Sequence, residues 1–91
     1  MKIGVMGSFR RDAERMKQKG KDMEKLKELT RKLQADIPLE QRYKLHKLKG
    51  KFKGQYECHL EDDWLVIYEI DKRENILILI RTGSHDDLGL Y

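Results

Sequence analysis

Three histidines in the second half of this 91-residue sequence are the residues best suited to chemistry. His46, His59 and His85 each stand beside polar or turn residues rather than inside an apolar run. Because histidine gains and loses a proton near neutral pH, it serves as a general base or as a general acid. Cleaving an RNA phosphodiester takes a base for the 2′-hydroxyl, an acid for the leaving 5′-oxygen and a cation for the phosphate oxygens.

Asp63 and Arg81 are the charged residues that would complete such a site. Asp63 follows the apolar and polar alternation around His59, and Arg81 closes the last apolar run before His85. The spacing of the histidines and Asp63 matches none of the compact metal-binding motifs, so we expect neither a metal nor a cofactor. Taken singly, a surface histidine, a turn aspartate or a strand-end arginine is more often structural than catalytic.

The N-terminal residues predict a short strand followed by a helix. Ile3 and Val5 alternate with Lys2 and Gly4, which weakly favours a strand. Ser8 is suited to be the N-cap of a first helix over residues 9–19, and the glycine at position 20 supplies its end.

A second helix is predicted from about Asp22 until shortly before Pro38. Apolar residues recur at helical spacing in both helices: Phe9, Ala13 and Met16 in the first, and Met23, Leu26, Leu29, Leu33 and Ile37 in the second. Neither helix can bury its apolar face alone, so the helical hairpin requires a partner surface.

The C-terminal half supplies that surface as three predicted strands. They are residues 55–60, 64–70 and 75–81. The connections are of hairpin length, so the strands should form an antiparallel meander. In the first strand Cys58 projects to one face, and Glu57 and His59 project to the other. The fold class is therefore α+β, with the helical hairpin on one face of a small, mainly antiparallel sheet and polar chemistry on the other.

Residues 42–53, which we call the basic segment, combine six cations with four apolar residues. The cations are Arg42, Lys44, Lys47, Lys49, Lys51 and Lys53. Near-alternation in an extended segment would place them on one side, while the apolar residues dock onto the domain. Such a surface suits a phosphate backbone, and binding through it should weaken steeply with salt. The alternative is a solvated edge strand whose lysines discourage aggregation.

Charge and composition narrow the class of protein further. Residues 1–54 carry 17 Lys or Arg against 7 Asp or Glu, a net +10, whereas residues 55–91 carry 3 against 9, a net −6. The first half therefore predicts a surface for a polyanion. The length fits one domain, residues 1–91. With a single cysteine and no apolar run near the roughly 20 residues that cross a membrane, we expect a cytoplasmic protein.

Several stretches resemble the YafQ branch of the RelE/ParE toxin superfamily. They are KLHKLKGKFKGQYECHLEDDWLVIYEI, ILILIRTGSHDDL and the helical RMKQKGKDMEKL, which together span nearly the whole chain. The resemblance implies a RelE-like β-α-α-β-β-β domain that cleaves translated mRNA in the ribosome through a 2′,3′-cyclic phosphate, without a cofactor. It also implies a small antitoxin partner of the DinJ type with an acidic tail, through which alone operator DNA would be contacted.

The same resemblance implies roles for single residues. It gives acid/base roles to His46, His59, Asp63 and His85, phosphate stabilisation to Arg81, and contact with RNA to Trp64, in addition to the RNA contacts already expected of the basic segment. From the residues alone, Trp64 is better explained as core, because it begins an apolar run. Family members usually carry an aromatic residue four positions after the last histidine. Gly89 occupies that position here, so Tyr91 is the candidate replacement for stacking on RNA.

The sequence leaves open which histidine is the base and which is the acid. Our working hypothesis makes His85 the acid and gives the 2′-hydroxyl proton to Asp63 together with His59. Two other functions remain as alternatives: inhibition of gyrase without RNA cleavage, as in the ParE branch, and simple nucleic-acid binding through the basic segment.

Overall fold

A five-stranded sheet and two long helices make up the fold in a computed structural model, which describes residues 1–89. The elements are β1 Lys2–Val5, α1 Gly7–Gln18, α2 Met23–Gln34, β2 His46–Lys47, β3 Gln55–Glu61, β4 Trp64–Asp71, β5 Ile76–Gly83 and α3 His85–Leu88, with single 3-10 turns at Gln41–Tyr43 and Gly50–Phe52. Across the sheet the order is β1-β5-β4-β3-β2. β1 runs parallel to β5, and the other neighbours are antiparallel.

This architecture confirms the predicted α+β class, the helical hairpin and the mainly antiparallel sheet. The short strand β2 and the single-turn helix α3 were not predicted, because two and four residues are too few to show a periodicity. None of the helices within residues 1–89 is long and apolar enough to span a membrane.

The start of α1 differs from the prediction. Met6, not Ser8, is the N-cap, and its backbone N–H donates to the carbonyl of Leu79 at 3.0 Å. Because the sheet holds the backbone through Met6, the helix begins at once, and Ser8 lies inside it with its hydroxyl donating to the carbonyl of Ile80 at 2.7 Å. The predicted end is confirmed, since Gly20 has φ +83°, the left-handed conformation that favours glycine.

The core lies between the helical hairpin and one face of the sheet. Its buried residues are Phe9 and Met16 of α1, Leu26, Leu29 and Leu33 of α2, Tyr43, and the strand residues Cys58, Trp64, Val66, Tyr68, Leu77 and Leu79. Burial raises the pKa of the Cys58 thiol to about 12, which keeps it protonated and unreactive. Ile37, which was predicted to extend the apolar face of α2, lies beyond the end of that helix and is exposed.

The basic segment is not the extended strand that the alternation predicted. Lys44 and Gly50 adopt left-handed conformations, with φ of 48° and 66°, and each reverses the chain next to a 3-10 turn. Only His46 and Lys47 pair with β3. All six cations are exposed as expected, but they belong to a segment of turns and one two-residue strand instead of a single extended strand.

Replacing Leu29 by alanine tests where the core lies. Leu29 is 0% exposed, so Leu29→Ala should lower the free energy of unfolding by about 3 kcal/mol in urea denaturation. The matched change Leu45→Ala alters a side chain that is 45% exposed and should lower it by less than about 1 kcal/mol. Equal losses at the two positions would contradict this assignment of the core.

Candidate active site

The strand register aligns site residues across the face of the sheet that lies opposite the hydrophobic core. His46 of β2 pairs with Glu57 of β3, Glu57 with Ile67 of β4, and Ile67 with Arg81 of β5. Paired residues of antiparallel strands project to the same face. One row therefore carries two of the predicted site residues, and His59 lies two positions further along β3 on the same face.

A bulge in β5 places Arg81 in this row. Tyr68 pairs with Leu79, but the preceding residue Ile67 pairs with Arg81, so Ile80 is an extra residue in the ladder. Simple alternation from Leu79, which is in the core, would have sent Arg81 toward the core as well. The extra residue moves Arg81 to the opposite face.

Glu57 joins two of the histidines. One oxygen of its carboxylate lies 3.3 Å from Nε2 of His46 and 3.5 Å from Nε2 of His59. The other ring nitrogen of His46, Nδ1, lies 2.8 Å from the carbonyl oxygen of Lys44. Because a carbonyl only accepts, this nitrogen carries a proton, and Nε2 is the atom turned to the carboxylate. Glu57 was not predicted as a site residue, although its i, i+2 spacing from His59 on a strand was the available signal.

His59 is the middle of the three imidazoles. Its ring centroid is 6.5 Å from that of His46 and 5.9 Å from that of His85. Within residues 1–89, its Nδ1 is buried and has no hydrogen-bond partner. Buried polar atoms are nearly always satisfied, so this unsatisfied ring nitrogen between two other histidines singles out His59 as a candidate site residue.

Asp63 contacts His85 rather than His59. Its Oδ1 accepts the backbone N–H of His85 at 2.9 Å and lies 2.7 Å from the ring Nδ1. These two bonds, the backbone one first, lower the pKa of Asp63 below its ordinary value. An ionised carboxylate that accepts from Nδ1 fixes the ring and leaves Nε2 for chemistry. The contacts give no support to the hypothesis that Asp63 acts with His59.

The turn before His85 is built by its own side chains. Ser84 and Asp87 form a capping box: the Asp87 N–H donates to the Ser84 hydroxyl at 3.0 Å, and the Ser84 N–H donates to the Asp87 carboxylate at 3.1 Å. Lys19 adds an ion pair to that carboxylate at 3.0 Å. Gly83 is required here, since its φ is +156° and a Cβ would lie 2.9 Å from the Cβ of Asp87.

Arg81 is held by an acid that the sequence analysis missed. Its Nε donates to Oδ2 of Asp12 at 2.6 Å, and its Nη2 donates to Oδ1 at 3.3 Å. Bonding to Asp12 is the main cause that raises the pKa of Arg81. A signal was available, because Asp12 stands three residues after Phe9 and four before Met16, which places it on the buried face of α1.

Of the residues predicted to contact RNA, those of the basic segment lie at the surface, whereas Trp64 does not. Trp64 is 0% exposed and its Nε1 donates to the hydroxyl of Thr82 at 2.9 Å, so it is a core residue and offers no surface for stacking on a base. Tyr91 lies outside the described residues. Beside β2 the basic segment borders a surface cavity of about 480 Å³, lined by Lys47, Lys49 and Lys53 among others.

A family profile places this chain, with its mixed sheet and its cluster of histidines and carboxylates, among the toxins of bacterial type II toxin–antitoxin systems. The profile of one such family, described as bacterial toxin of type II toxin–antitoxin system, YafQ, matches residues 1–89. The chain belongs to the YafQ family.

Characterised relatives agree with this assignment over most of their length. The chain is 38% identical to the mRNA interferase toxin YafQ of Escherichia coli K12 over 84 residues, which are 91% of this chain and 89% of that protein. YafQ in the E. coli DinJ–YafQ complex is 37% identical with a TM-score of 0.86, covering 94% of each chain.

A toxin of Helicobacter pylori, solved in a metal-bound form, is 39% identical with a TM-score of 0.91, covering 97% of this chain and 98% of that one. In this chain, no group of three or more His, Cys, Asp or Glu side chains within residues 1–89 is arranged to hold a metal ion.

Acid should release the turn that carries His85. The pKa of Asp87 is lowered from 3.8 to about 2, first by the Ser84 N–H and then by Lys19. A carboxyl whose pKa is depressed in the folded state adds stability that is complete above the ordinary pKa and is lost as the pH falls to the folded pKa. The thermal midpoint of the wild type should exceed that of Asp87→Asn at about pH 5, and the gap should narrow between about pH 4 and 2.

Asp36→Asn is the control for this titration, because it removes one exposed carboxylate elsewhere and corrects for net charge. A gap between wild type and Asp87→Asn that stays constant from about pH 5 to 2 would show that the Asp87 carboxylate does not stabilise the turn.

Proposed function

We propose that this toxin is an endoribonuclease that cuts mRNA on translating ribosomes. One observation carries the proposal: two imidazole and carboxylate pairs, His85 with Asp63 and His59 with Glu57, stand side by side with their rings 5.9 Å apart. Cleavage by the 2′-hydroxyl needs two proton-transferring groups at one phosphodiester. The E. coli relatives are mRNA interferases, which supports the same activity.

His85 is the acid in this proposal. Asp63 contacts Nδ1 of His85, and the His85 side chain is 40% exposed. Nε2 of His85 is therefore left to give a proton to the leaving 5′-oxygen. This assignment keeps the role that the sequence hypothesis gave to His85. It changes the role of Asp63 from a base to the group that orients the acid.

The Glu57 carboxylate takes the single proton of the 2′-hydroxyl. His59, whose Nδ1 is buried, supports that carboxylate through Nε2, and His46 is the second histidine on it. The 2′-oxygen then bonds to phosphorus, and the bond from phosphorus to the 5′-oxygen breaks. The products are a 2′,3′-cyclic phosphate and a 5′-hydroxyl. Arg81 stabilises the charge on the phosphate oxygens, and the protein side chains supply every proton transfer without a cofactor.

The ribosome and an antitoxin are the proposed partners. A protein that acts on ribosomes is expected in the cytoplasm, and we take residues 1–91 as a single toxin domain. The exposed lysines of the basic segment bind RNA phosphates beside the site. Because E. coli YafQ has been solved in complex with DinJ, we extend the same kind of partner to this chain. An antitoxin with an acidic tail would cover its cationic surface and would supply any contact with operator DNA.

Replacing His85 tests the mechanism. His85→Ala should lower the rate of site-specific breaks in translated messages by about 10²- to 10⁴-fold, because it removes the acid. Mapping of transcript 5′ ends after induced expression measures this. Asp63→Asn should also lower the rate, whereas the matched change at the neighbouring exposed Asp62, Asp62→Asn, should leave it unchanged.

Two results would refute the nuclease. Breaks that persist unchanged in His85→Ala would remove the proposed acid. A purified wild-type protein that blocks DNA supercoiling and leaves ribosome-bound mRNA intact would instead identify a gyrase inhibitor.

Salt dependence tests the basic segment. Changing Lys49 and Lys53 to glutamine should reduce the slope of log affinity for ribosomes against log salt by about 1.5, since each lost phosphate contact lowers it by roughly 0.7–0.9. Lys2 and Lys72 are matched controls, because they lie near the start of β5, at the opposite end of the sheet from His85. Equal slopes for both double variants would contradict the proposed RNA surface.

A further inference from the structure

We propose that Asp12 positions Arg81 for the cleavage reaction by holding one edge of its guanidinium so that the opposite edge is left for the phosphate. The inference rests on the proposed nuclease function and on Arg81 as the phosphate-binding cation. It assigns a role in the reaction to helix α1, which contributes no other residue to the proposed chemistry.

Asp12 is an unusual residue for the place it occupies. It is 2% exposed and lies on the face of α1 that packs against the sheet. A buried carboxylate is costly unless it is paired and fully hydrogen-bonded. Asp12 meets this condition with four bonds, which come from Nε and Nη2 of Arg81, from the backbone N–H of Thr82 at 3.2 Å and from Nη1 of Arg15 at 3.3 Å.

The geometry of the pair decides which atoms remain for a ligand. A guanidinium offers five N–H groups in a plane, and the Nε and Nη2 edge is the one that Asp12 occupies. The second N–H of Nη2 and both of Nη1 lie on the remaining edges. Nη2 reaches the carbonyl of Asp87 only at 3.5 Å, and Nη1 has no hydrogen-bond partner within residues 1–89. Two parallel N–H groups are the fork that binds a phosphate bidentately.

Holding the guanidinium of Arg81 in place before the substrate binds also lowers the entropic cost of its contact with the phosphate. A free arginine side chain loses much rotamer freedom when it is ordered on a substrate. Here the freedom is lost on folding, because Asp12 is itself fixed in a helix and holds Arg81 at two points. Preorganised charge of this kind is what stabilises a transition state most effectively.

The same carboxylate also fixes the strand that leads to the acid. Asp12 accepts the N–H of Thr82, the residue after Arg81, so the end of β5 is held just before the turn to His85. The phosphate cation and the proposed acid are thus positioned from a single point. A change at Asp12 should therefore affect the chemical step more than binding to the ribosome.

Single-turnover cleavage of mRNA on programmed ribosomes tests the proposal. Asp12→Asn keeps the shape of the side chain but replaces one acceptor oxygen by a donor that cannot face Arg81. It should lower the rate at saturating toxin by about 10- to 100-fold, with little change in the concentration that gives half the maximal rate. Arg15→Ala is the control, because it removes the exposed partner of the same carboxylate and should change the rate by less than about twofold.

A double-mutant cycle separates positioning from a merely structural role. If Asp12 acts through Arg81, adding Asp12→Asn to Arg81→Ala should cost less than about threefold further, because the remaining amide oxygen can still accept the Thr82 N–H. The same loss in both backgrounds would show that Asp12 acts through the fold, and wild-type cleavage by Asp12→Asn would also overturn the inference. Wild-type protein that does not cleave would overturn the proposed function and this inference together.

A measurement on the wild type keeps the test valid even if Asp12→Asn fails to fold. The Nε–H of Arg81 should appear in NMR spectra as a slowly exchanging, downfield proton, because it is bonded to a buried carboxylate. Fast exchange at that proton would mean that Asp12 does not hold Arg81 in solution and would overturn the inference.

Discussion

The register of β3, β4 and β5 is the constraint on which the site depends. Side chains alternate between faces along a strand, so a slip of one residue would send every side chain to the opposite face. The apolar residues fix this register, because Cys58, Val66 and Tyr68 must meet the helical hairpin on one side. Because side chains alternate along β3, Glu57 and His59 then project to the opposite face of the sheet. The same burial energy that forms the core therefore places the polar groups.

Two departures from regular pairing adapt this frame to the chemistry. The extra residue at Ile80 brings Arg81 to the face that carries Glu57. A second irregularity lies between His59 and Glu61, just before the turn that presents Asp63. Natural sheets use bulges to re-aim side chains near sites of function, and both bulges here flank residues of the proposed reaction.

The sequence predicted the parts of the fold that have a period. The two apolar stripes predicted the helices, and alternation predicted three strands and the shared face of Glu57 and His59. What it did not predict depends on tertiary contacts or on single backbone conformations. Lys44 and Gly50 break the basic segment into turns through positive φ angles that alternation does not reveal.

The same limit applied to the site. Arg81, Asp63 and the three histidines were identified from residue type and from family resemblance, but the pairs that they form were not. Asp12 and Asp63 contact residues that are 69 and 22 positions away in the chain, and no local pattern announces such pairs. Trp64 shows the converse, since its apolar neighbours indicated the core and its burial agrees with that interpretation.

Helix α1 also bonds to backbone groups of β5 that lie beyond the end of its pairing with β1. β1 pairs with β5 only as far as Leu79, and beyond that point the carbonyl of Ile80 and the N–H of Thr82 are met by the side chains of Ser8 and Asp12. Unpaired backbone groups along a strand are a template on which another chain can add itself and start aggregation. In this protein the hydroxyl and the carboxylate take the place of a neighbouring strand, so these two backbone groups are not available to pair with a second chain next to the residues that the reaction needs.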